Sequence, residues 1–215
     1  MLRKETPFVH VDTPFTVHVA QGLLDEEAVA ELYATAPVDR VSTIDRSDPA
    51  HEKQYRMNLF YLMVNNQRSK RAAQLPEIWR SLLDDLTGDA FVTWLSEGTG
   101  LDLHGLSQDV GVYTHVEGDY ISVHKDKPEK AITAILYLNP RWPTGAGGEF
   151  EIRFGGDPAS PHAFRLPPRP GQLLAFPPTE RSWHAVSRVS GGEDLTRLTV
   201  QLEYWFDHVD RYRAD

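Results

Sequence analysis

Two residues near the middle of the chain have the types and the spacing to hold a metal ion. His124 and Asp126 are separated by one residue, and a second histidine, His184, follows further along the chain. In an extended segment, side chains two positions apart lie on the same face, so the imidazole and the carboxylate can converge on one ion. Two histidines and one carboxylate form the ligand set of non-haem Fe(II) sites, which leaves positions open for chemistry.

The same spacing occurs a second time, near the start of the chain. His10 and Asp12 are also two positions apart, and His18 follows them. A strand-rich stretch produces this spacing by chance, and no basic residue follows at a useful distance to hold an anionic cofactor. We therefore expect these three residues to be structural. The spacing alone does not identify a metal site.

The composition predicts one soluble domain. The chain has 215 residues, of which 40% are hydrophobic and 25% are charged, values that are ordinary for a globular protein. Its net charge of −9 argues against nucleic acid and against an anionic membrane as partners. The absence of cysteine excludes disulfides, thiolate zinc sites and cysteine nucleophiles. Because we find neither a membrane-spanning apolar run nor the apolar core of a signal peptide, we expect a cytoplasmic protein.

The first part of the chain, residues 1–106, is predicted to contain short strands and supporting helices. Asp25 is predicted as the N-cap of a helix that ends before Pro37. Pro76 at the first helical position begins an amphipathic helix that Gly88 terminates, and a further helix follows it.

Three other stretches of this part have recognisable patterns. Residues 7–20 are rich in Phe, Val and Thr and predict two short strands. Residues 55–64 are almost continuously apolar and predict a buried strand. The polar stretch 42–54 has no apolar period and predicts a loop, whose length makes it a candidate lid.

From residue 107 onward, eight short β-rich segments are separated by Gly- and Pro-rich turns, and eight is the number of strands in a jelly roll. We therefore predict a mostly β fold with flanking α-helices, in which residues 107–206 form a double-stranded β-helix (jelly roll). The N-terminal helices are expected to pack on one sheet, within a single domain of residues 1–215. The eight segments are 108–115, 120–124, 131–138, 149–154, 163–166, 172–176, 184–189 and 197–206.

A late arginine and a tyrosine could bind a chelating oxo-acid at the metal. Such a ligand would occupy two open coordination positions, and its far carboxylate would need a cation. Arg197 begins the last β-segment, and a guanidinium matches a carboxylate in a bidentate manner. Tyr137 could add a phenolic hydroxyl to the same carboxylate.

With these residues in place, the stretch 113–200 resembles the Fe(II)/2-oxoglutarate-dependent dioxygenases, in particular their prolyl-hydroxylase-like branch. Trp183-His184 and the segment that begins at Arg197 are most similar to members that hydroxylate a proline of a ribosomal protein. The matching pieces, in order, are Tyr113, Gly118, His124-Lys125-Asp126, Tyr137-Leu138-Asn139, Trp142, Gly147-Gly148, Pro170-Gly171, Phe176-Pro177, Trp183-His184-Ala185-Val186 and Arg197.

The resemblance implies Fe(II) as cofactor, with 2-oxoglutarate and O₂ as co-substrates. It also implies a set of site residues. The family usually places its basic residue closer to the second histidine than Arg197 lies, so Arg188 is the alternative. The implied iron ligands are His124, Asp126 and His184, and the implied cofactor-binding residues are Arg197, Tyr137 and Tyr113.

The resemblance further implies hydroxylation of an unactivated C–H bond. Asp126 occupies the ligand position that related halogenases leave free for chloride, which favours hydroxylation over halogenation. We expect a small-molecule substrate, such as a free or carrier-tethered amino acid, and a peptidyl proline is the alternative. Fold and site leave two other classes open: a non-catalytic binding protein, and an iron protein of the cupin type that needs no 2-oxoglutarate.

Overall fold

The computed structural model of the chain describes residues 1–48, 50 and 53–206. Within them, one curled antiparallel sheet of thirteen strands is accompanied by three α-helices. The helices are α1 Glu26–Ala34, α2 Glu77–Thr87 and α3 Asp89–Thr99. The strands are β1 Phe8–Val11, β2 Val17–Ala20, β3 Ser42–Arg46, β4 Tyr55–Val64, β5 Gln67–Arg68, β6 Ser107–His115, β7 Tyr120–His124, β8 Lys130–Tyr137, β9 Phe150–Arg153, β10 His162–Leu166, β11 Leu173–Phe176, β12 His184–Val186 and β13 Arg197–Trp205.

The architecture is the mostly β jelly roll with flanking helices that the sequence predicted. Each of the eight predicted segments of the second half is a strand, from β6 to β13. The spatial order of the strands is β1-β2-β11-β8-β13-β6-β4-β7-β12-β9-β10, and β3 and β5 both pair with β4. Strands that are distant in the chain are therefore neighbours in space, which can bring β7 and β12 side by side.

The N-terminal strands belong to the same sheet as the later ones. β2 pairs with β11, and β4 pairs with both β6 and β7. The helices contribute Trp79 and Leu82 to a hydrophobic core that also contains Val112 and Val200. Residues 1–106 and 107–206 thus share both a sheet and a core.

The helix termini follow the local chemistry of the sequence. The Asp25 carboxylate accepts a hydrogen bond from the Ala28 backbone N–H at 2.8 Å and caps α1. Pro76 is the N-cap of α2, one position earlier than predicted. α3 follows α2 directly, and Gly100 terminates it in the left-handed conformation, with a φ of 73°.

The polar stretch that the sequence predicts as a loop contains a strand, β3. This strand pairs with β4 along its whole length, from Ser42 opposite Leu59 to Arg46 opposite Tyr55. Its side chains are mostly exposed, so no apolar period marks it in the sequence. Backbone pairing with β4 stabilises it instead, and β3 is therefore a fixed part of the sheet.

The last strand, β13, separates two environments. Leu198, Val200 and Leu202 alternate on one face and belong to the core that the helices cover. Arg197 and Thr199 point to the opposite face and are fully buried. That face borders a second apolar cluster, the inner cluster, which consists of Phe15, Val17, Val19, Ile135, Tyr137, Phe150, Ile152, Leu174 and Phe176. Among the described residues, no helix has the length and apolarity needed to cross a membrane.

Candidate metal and cofactor site

The three predicted metal ligands come together at the junction of two strands. His124 ends β7 and His184 begins β12, and the two residues lie directly opposite each other in the antiparallel pair. Their ring centroids are 4.2 Å apart, and Asp126 Oδ1 lies 3.9 Å from His124 Nε2. One possible ligand atom from each residue lies within 4.8 Å of the others. This cluster has the dimensions to hold one metal ion.

Both histidines are held in the tautomer that binds a metal through Nε2. The Nδ1 atoms of His124 and His184 each lie 2.8 Å from a backbone carbonyl oxygen, that of Ser122 and that of Ser182. Because a carbonyl only accepts, Nδ1 carries the proton and the Nε2 lone pair is available. Burial lowers the pKa of His184 to about 4 and that of His124 well below its usual range. Both imidazoles are therefore neutral at neutral pH, so the site fits a metal ion such as Fe(II).

The Asp126 carboxylate is fixed by two side chains from β8. Thr133 donates its hydroxyl to Asp126 Oδ2 at 2.6 Å, and Lys130 Nζ lies 3.1 Å from the same oxygen. Lys130 Nζ also contacts Glu203 Oε1 at 2.9 Å. Burial opposes ionisation of Asp126, but the neighbouring positive charges, of which Lys130 is the largest contributor, together outweigh it and hold the pKa of this carboxyl well below its usual range. These contacts occupy Oδ2 and leave Oδ1 to face the histidines.

The fully buried Arg197 lies beside Tyr137. Arg197 Nη2 donates to the Tyr137 hydroxyl oxygen at 3.2 Å, and Nε donates to the Gly148 carbonyl at 2.7 Å. Burial raises the pKa of Tyr137, so its hydroxyl keeps a proton that it can donate. Arg197 Nη1 and Thr199 Oγ1 are buried and have no hydrogen-bond partner within the described part of the chain. Buried donors without partners are costly, so this group fits an additional acceptor such as a carboxylate.

The Gly147-Gly148 pair explains how Arg197 reaches this position. The φ angles of the two glycines are +67° and +68°, a region that other residues rarely adopt. A Cβ atom on Gly148 would lie 3.0 Å from Arg197 Cδ and 2.8 Å from the Trp142 ring. The glycine therefore allows both the close approach of Arg197 and the backbone hydrogen bond that orients it.

Tyr113 lies between the predicted carboxylate site and the cavity. It is buried on β6 opposite Thr199, and its ring covers Gly111. It lines a cavity of about 880 Å³ that opens next to the metal-ligand cluster. We expected Tyr113 to lie near the cofactor, and the structure places it on this cavity wall.

The alternative arginine, Arg188, lies elsewhere. Its guanidinium carbon stands 4.1 Å above the centroid of the Tyr120 ring, and it donates to the Gly118 carbonyl. The structure thus brings Arg197 rather than Arg188 to Tyr137.

The metal-ligand cluster lies between the cavity and the inner cluster. His124 and Asp126 form part of the cavity wall, whereas Arg197 and Tyr137 do not line it. On the other side, the His184 ring packs against Phe150 and Phe176, with centroids 5.3 and 4.7 Å away. These two aromatic residues belong with Tyr137 to the inner cluster. The arrangement separates an inner site, suited to a carboxylate, from an open cavity, suited to a substrate.

The N-terminal residues with the same spacing form no comparable cluster. His10 and His18 face each other across β1 and β2, with their Nδ1 atoms 3.0 Å apart. Asp12 accepts a hydrogen bond from the Thr16 hydroxyl at 3.1 Å. In the described residues, the group of ligands that could hold a metal is that of His124, Asp126 and His184.

Several residues of the site were not found from the sequence. Lys130 and Thr133 contact Asp126 from β8, the strand that follows it in the chain, and no periodicity in the sequence signals that contact. Thr199 follows Arg197 by two positions, so the alternation along a strand could have placed both on one face. Lys53 lines the cavity from the stretch that was predicted as a loop.

The second half of the chain matches the sequence profile of a known family. The profile of the 2OG-Fe(II) oxygenase superfamily matches residues 109–206. Over 129 residues the chain is 30% identical to prolyl 3-hydroxylase OGFOD1 of Mus musculus, a match that covers 59% of this chain and 23% of the mouse protein. The chain therefore spans about a quarter of the length of that curated relative.

Solved structures share the fold. An oxidoreductase of the 2OG-Fe(II) oxygenase family from Burkholderia pseudomallei superposes with a TM-score of 0.63 at 14% identity, covering 88% of this chain and 84% of the other. A Pseudomonas putida prolyl-4-hydroxylase gives 0.56 at 18% identity, covering 88% and 91%. HygX from Streptomyces hygroscopicus, solved with nickel and 2-oxoglutarate bound, gives 0.57 at 12% identity, covering 88% and 82%. The solved structures show the shared fold, and the two sequence matches confirm the predicted resemblance: residues 109–206 match a 2OG-Fe(II) oxygenase, and the chain is similar to a prolyl hydroxylase, in a superfamily named for Fe(II) and 2-oxoglutarate.

Proposed function

We propose that the protein is an Fe(II)- and 2-oxoglutarate-dependent dioxygenase that hydroxylates an unactivated C–H bond. One observation carries this proposal. The ligand atoms of His124, Asp126 and His184 converge within 4.8 Å at the wall of an open cavity. Both histidines have their Nδ1 atoms engaged by backbone carbonyls, so their Nε2 atoms are ready to bind a metal.

Each group of residues would have a separate task. Nε2 of His124, Nε2 of His184 and Oδ1 of Asp126 would hold Fe(II). Arg197 and Tyr137 would bind the distal carboxylate of 2-oxoglutarate, and the unpaired Arg197 Nη1 would supply an additional donor. When bound, iron and 2-oxoglutarate supply the oxidising chemistry that breaks the C–H bond, with O₂ as the oxidant.

The protein would orient the metal ligands and exclude water from part of the site. Lys130 and Thr133 keep the Asp126 carboxylate ionised and oriented. Phe150 and Phe176 pack around His184 and exclude water from its inner side. Because Asp126 occupies a ligand position, we propose hydroxylation rather than halogenation as the outcome.

Two classes of substrate fit the cavity. We propose a small molecule, such as a free or carrier-tethered amino acid, because the cavity volume of about 880 Å³ lies in the range of small-molecule pockets. The structure of HygX with hygromycin B bound gives a precedent for a small molecule on this fold. A peptidyl proline is the second candidate, and the 30% identity to a prolyl 3-hydroxylase favours it.

The test is a screen of the Fe(II)-loaded protein in the presence of O₂. Free amino acids, N-acyl amino acids and prolyl peptides are added in turn, and 2-oxoglutarate consumption, succinate formation and product mass are measured. A substrate should raise consumption above background and give a product heavier by one oxygen atom. If no succinate forms from 2-oxoglutarate under any condition, a non-catalytic protein is indicated. Oxidation that does not respond to 2-oxoglutarate would indicate a cupin-type enzyme.

A further inference from the structure

The cavity wall is rich in basic residues although the chain as a whole is acidic. The net charge of the chain is −9. Five basic side chains nevertheless line the cavity, against two acidic ones. The basic residues are Arg46, Lys53, Lys125, Lys127 and Lys130, and the acidic residues are Asp126 and Glu203.

Ion pairs neutralise only part of this charge. Lys130 contacts both acidic residues of the wall, Asp126 and Glu203. Lys125 Nζ lies 2.6 Å from the carboxylate of Glu180, outside the cavity wall. The other three basic residues form no ion pair with any residue in the ranges 1–48, 50 and 53–206. These three residues are Arg46, Lys53 and Lys127.

Lys53 is the most buried of these three residues. Its side chain is half-buried, and its Nζ stands 5.4 Å from the centroid of the Tyr55 ring. The Arg46 guanidinium carbon lies 6.0 Å from the same centroid, so two cations share one aromatic wall. Lys53 lines the same cavity as the ligands His124 and Asp126.

The remainder of the wall is aromatic and apolar. Alternate residues of β4 face the cavity, and two tryptophans complete the surface. Such a surface buries an apolar body, whereas a half-buried ammonium that forms no direct ion pair favours an additional anion. These residues are Tyr55, Met57, Leu59, Tyr61, Trp183 and Trp205.

We propose that the substrate carries an anionic group, a carboxylate or a phosphate, which Lys53 binds together with Arg46 and Lys127. The apolar body of the substrate then lies against the aromatic wall, and its reacting carbon faces His124 and Asp126. The identity of the reacting end rests on the proposed function, but the anion site itself requires no turnover. A neutral analogue leaves Lys53 without a partner and binds more weakly.

A pair of fluorescent probes tests the anion site without catalysis. 1-Anilinonaphthalene-8-sulfonate and N-phenyl-1-naphthylamine have the same aromatic body, but only the first carries a negative charge. Both are titrated into the protein loaded with Mn(II) and 2-oxoglutarate. Since a charged hydrogen bond is at stake, the anionic probe should bind about tenfold more tightly than the neutral one.

The decisive comparison uses two lysine variants. Lys53→Met should reduce the affinity for the anionic probe by about tenfold and leave that for the neutral probe unchanged. Lys70→Met, at an exposed lysine that does not line the cavity, should change neither affinity. Equal binding of both probes by the wild type, or undiminished binding of the anionic probe by Lys53→Met, overturns the proposal.

Further titrations separate the possible sources of the anion. If Lys53→Met weakens 2-oxoglutarate binding as much as Arg197→Ala does, Lys53 serves the co-substrate and the proposal is wrong. N-acetylproline is then compared with its methylamide, and an acidic prolyl peptide with its Asn- and Gln-substituted form, by displacement of the anionic probe. Tighter binding of N-acetylproline than of its methylamide indicates that the substrate is a small acid. Tighter binding of the acidic peptide than of its substituted form indicates an acidic peptide. These assays measure binding and need no turnover. They therefore test the anion site even if the protein proves not to be a hydroxylase.

Discussion

His10 and His124 stand in nearly the same local context. Each lies on a β-strand two residues before an aspartate, and each lies directly opposite another histidine on a paired strand. In the N-terminal pair, the Nδ1 atoms of His10 and His18 face each other at 3.0 Å. In the cavity pair, each Nδ1 is engaged by a backbone carbonyl instead, and the Nε2 side of each ring is left for a ligand. The competence to bind a metal therefore depends on what holds the other nitrogen of each ring.

The two aspartates differ in the same way. Asp12 is exposed and accepts one hydrogen bond, from Thr16. Asp126 is largely buried and is held by Thr133 and Lys130, which keep it ionised next to His124. An identical spacing thus produces a strand pair without a ligand cluster in one place and a ligand cluster in the other, because the neighbouring residues supply different partners.

The largest effects are expected from substitution of the residues in the metal-ligand cluster. Asp126→Ala and His184→Ala should each abolish succinate formation from 2-oxoglutarate, because two remaining ligands hold a metal poorly. The matched controls Asp12→Ala and His18→Ala should retain the rate of the wild type. Succinate formation is measured by chromatography after equal incubation with Fe(II). Normal turnover by Asp126→Ala, or loss of turnover in Asp12→Ala, would contradict the assignment of the metal site to His124, Asp126 and His184.

A second effect is expected at the inner site, where Arg197 and Tyr137 would bind 2-oxoglutarate. Arg197→Ala removes a buried guanidinium that contacts Tyr137, and it should weaken 2-oxoglutarate binding by about a hundredfold. Metal affinity should change little, since Arg197 has no contact with the cluster. Arg188→Ala is the matched control and should leave 2-oxoglutarate affinity unchanged. If calorimetry shows the opposite ranking of the two variants, Arg188 binds the carboxylate.

A smaller effect is expected from the support of Asp126. Lys130→Met leaves the carboxylate with the Thr133 hydroxyl and removes its cation, so the affinity for Mn(II) should fall by about ten- to a hundredfold. Thr16→Val makes the corresponding change next to Asp12 and should have no effect on metal binding. Unchanged Mn(II) affinity in Lys130→Met would show that Thr133 alone positions Asp126.

The smallest effect is expected at Gly148. Gly148→Ala places a Cβ 3.0 Å from Arg197 Cδ at a φ of +68°, so 2-oxoglutarate affinity should fall by about tenfold and stability by about 1–2 kcal/mol. Gly145 has a φ of +83° and no neighbour within 4 Å of an added Cβ. Gly145→Ala should therefore lose stability without losing 2-oxoglutarate affinity. Thermal unfolding and calorimetry of the two variants separate backbone strain from displacement of Arg197.

The sequence predicted the elements whose signals are local. The strands β6 to β13 are separated by Gly- and Pro-rich turns, and β4 is almost continuously apolar, so both were predicted. β3 was not, because an exposed edge strand has no apolar period and depends on pairing with β4. Because β3 was predicted as a loop, the sequence did not indicate that Arg46 lines the cavity.

The candidate site divides in the same manner. His124, Asp126 and Arg197 could be selected because strand alternation, ligand chemistry and family resemblance act on the sequence itself. The contacts of Lys130 and Thr133 with Asp126, and the place of Lys53 in the same cavity, depend on tertiary structure, which spacing along the chain does not encode. Tertiary contacts thus decide which of two equivalent patterns becomes a site.

An anaerobic titration of Fe(II) into three proteins compares the two regions in a single experiment. The wild type, Asp12→Ala and Asp126→Ala are titrated under identical conditions, and the bound metal is counted for each. We predict one tight site in the wild type and in Asp12→Ala, and none in Asp126→Ala. Retention of a tight site by Asp126→Ala, or its loss from Asp12→Ala, would contradict a metal centre built on His124, Asp126 and His184.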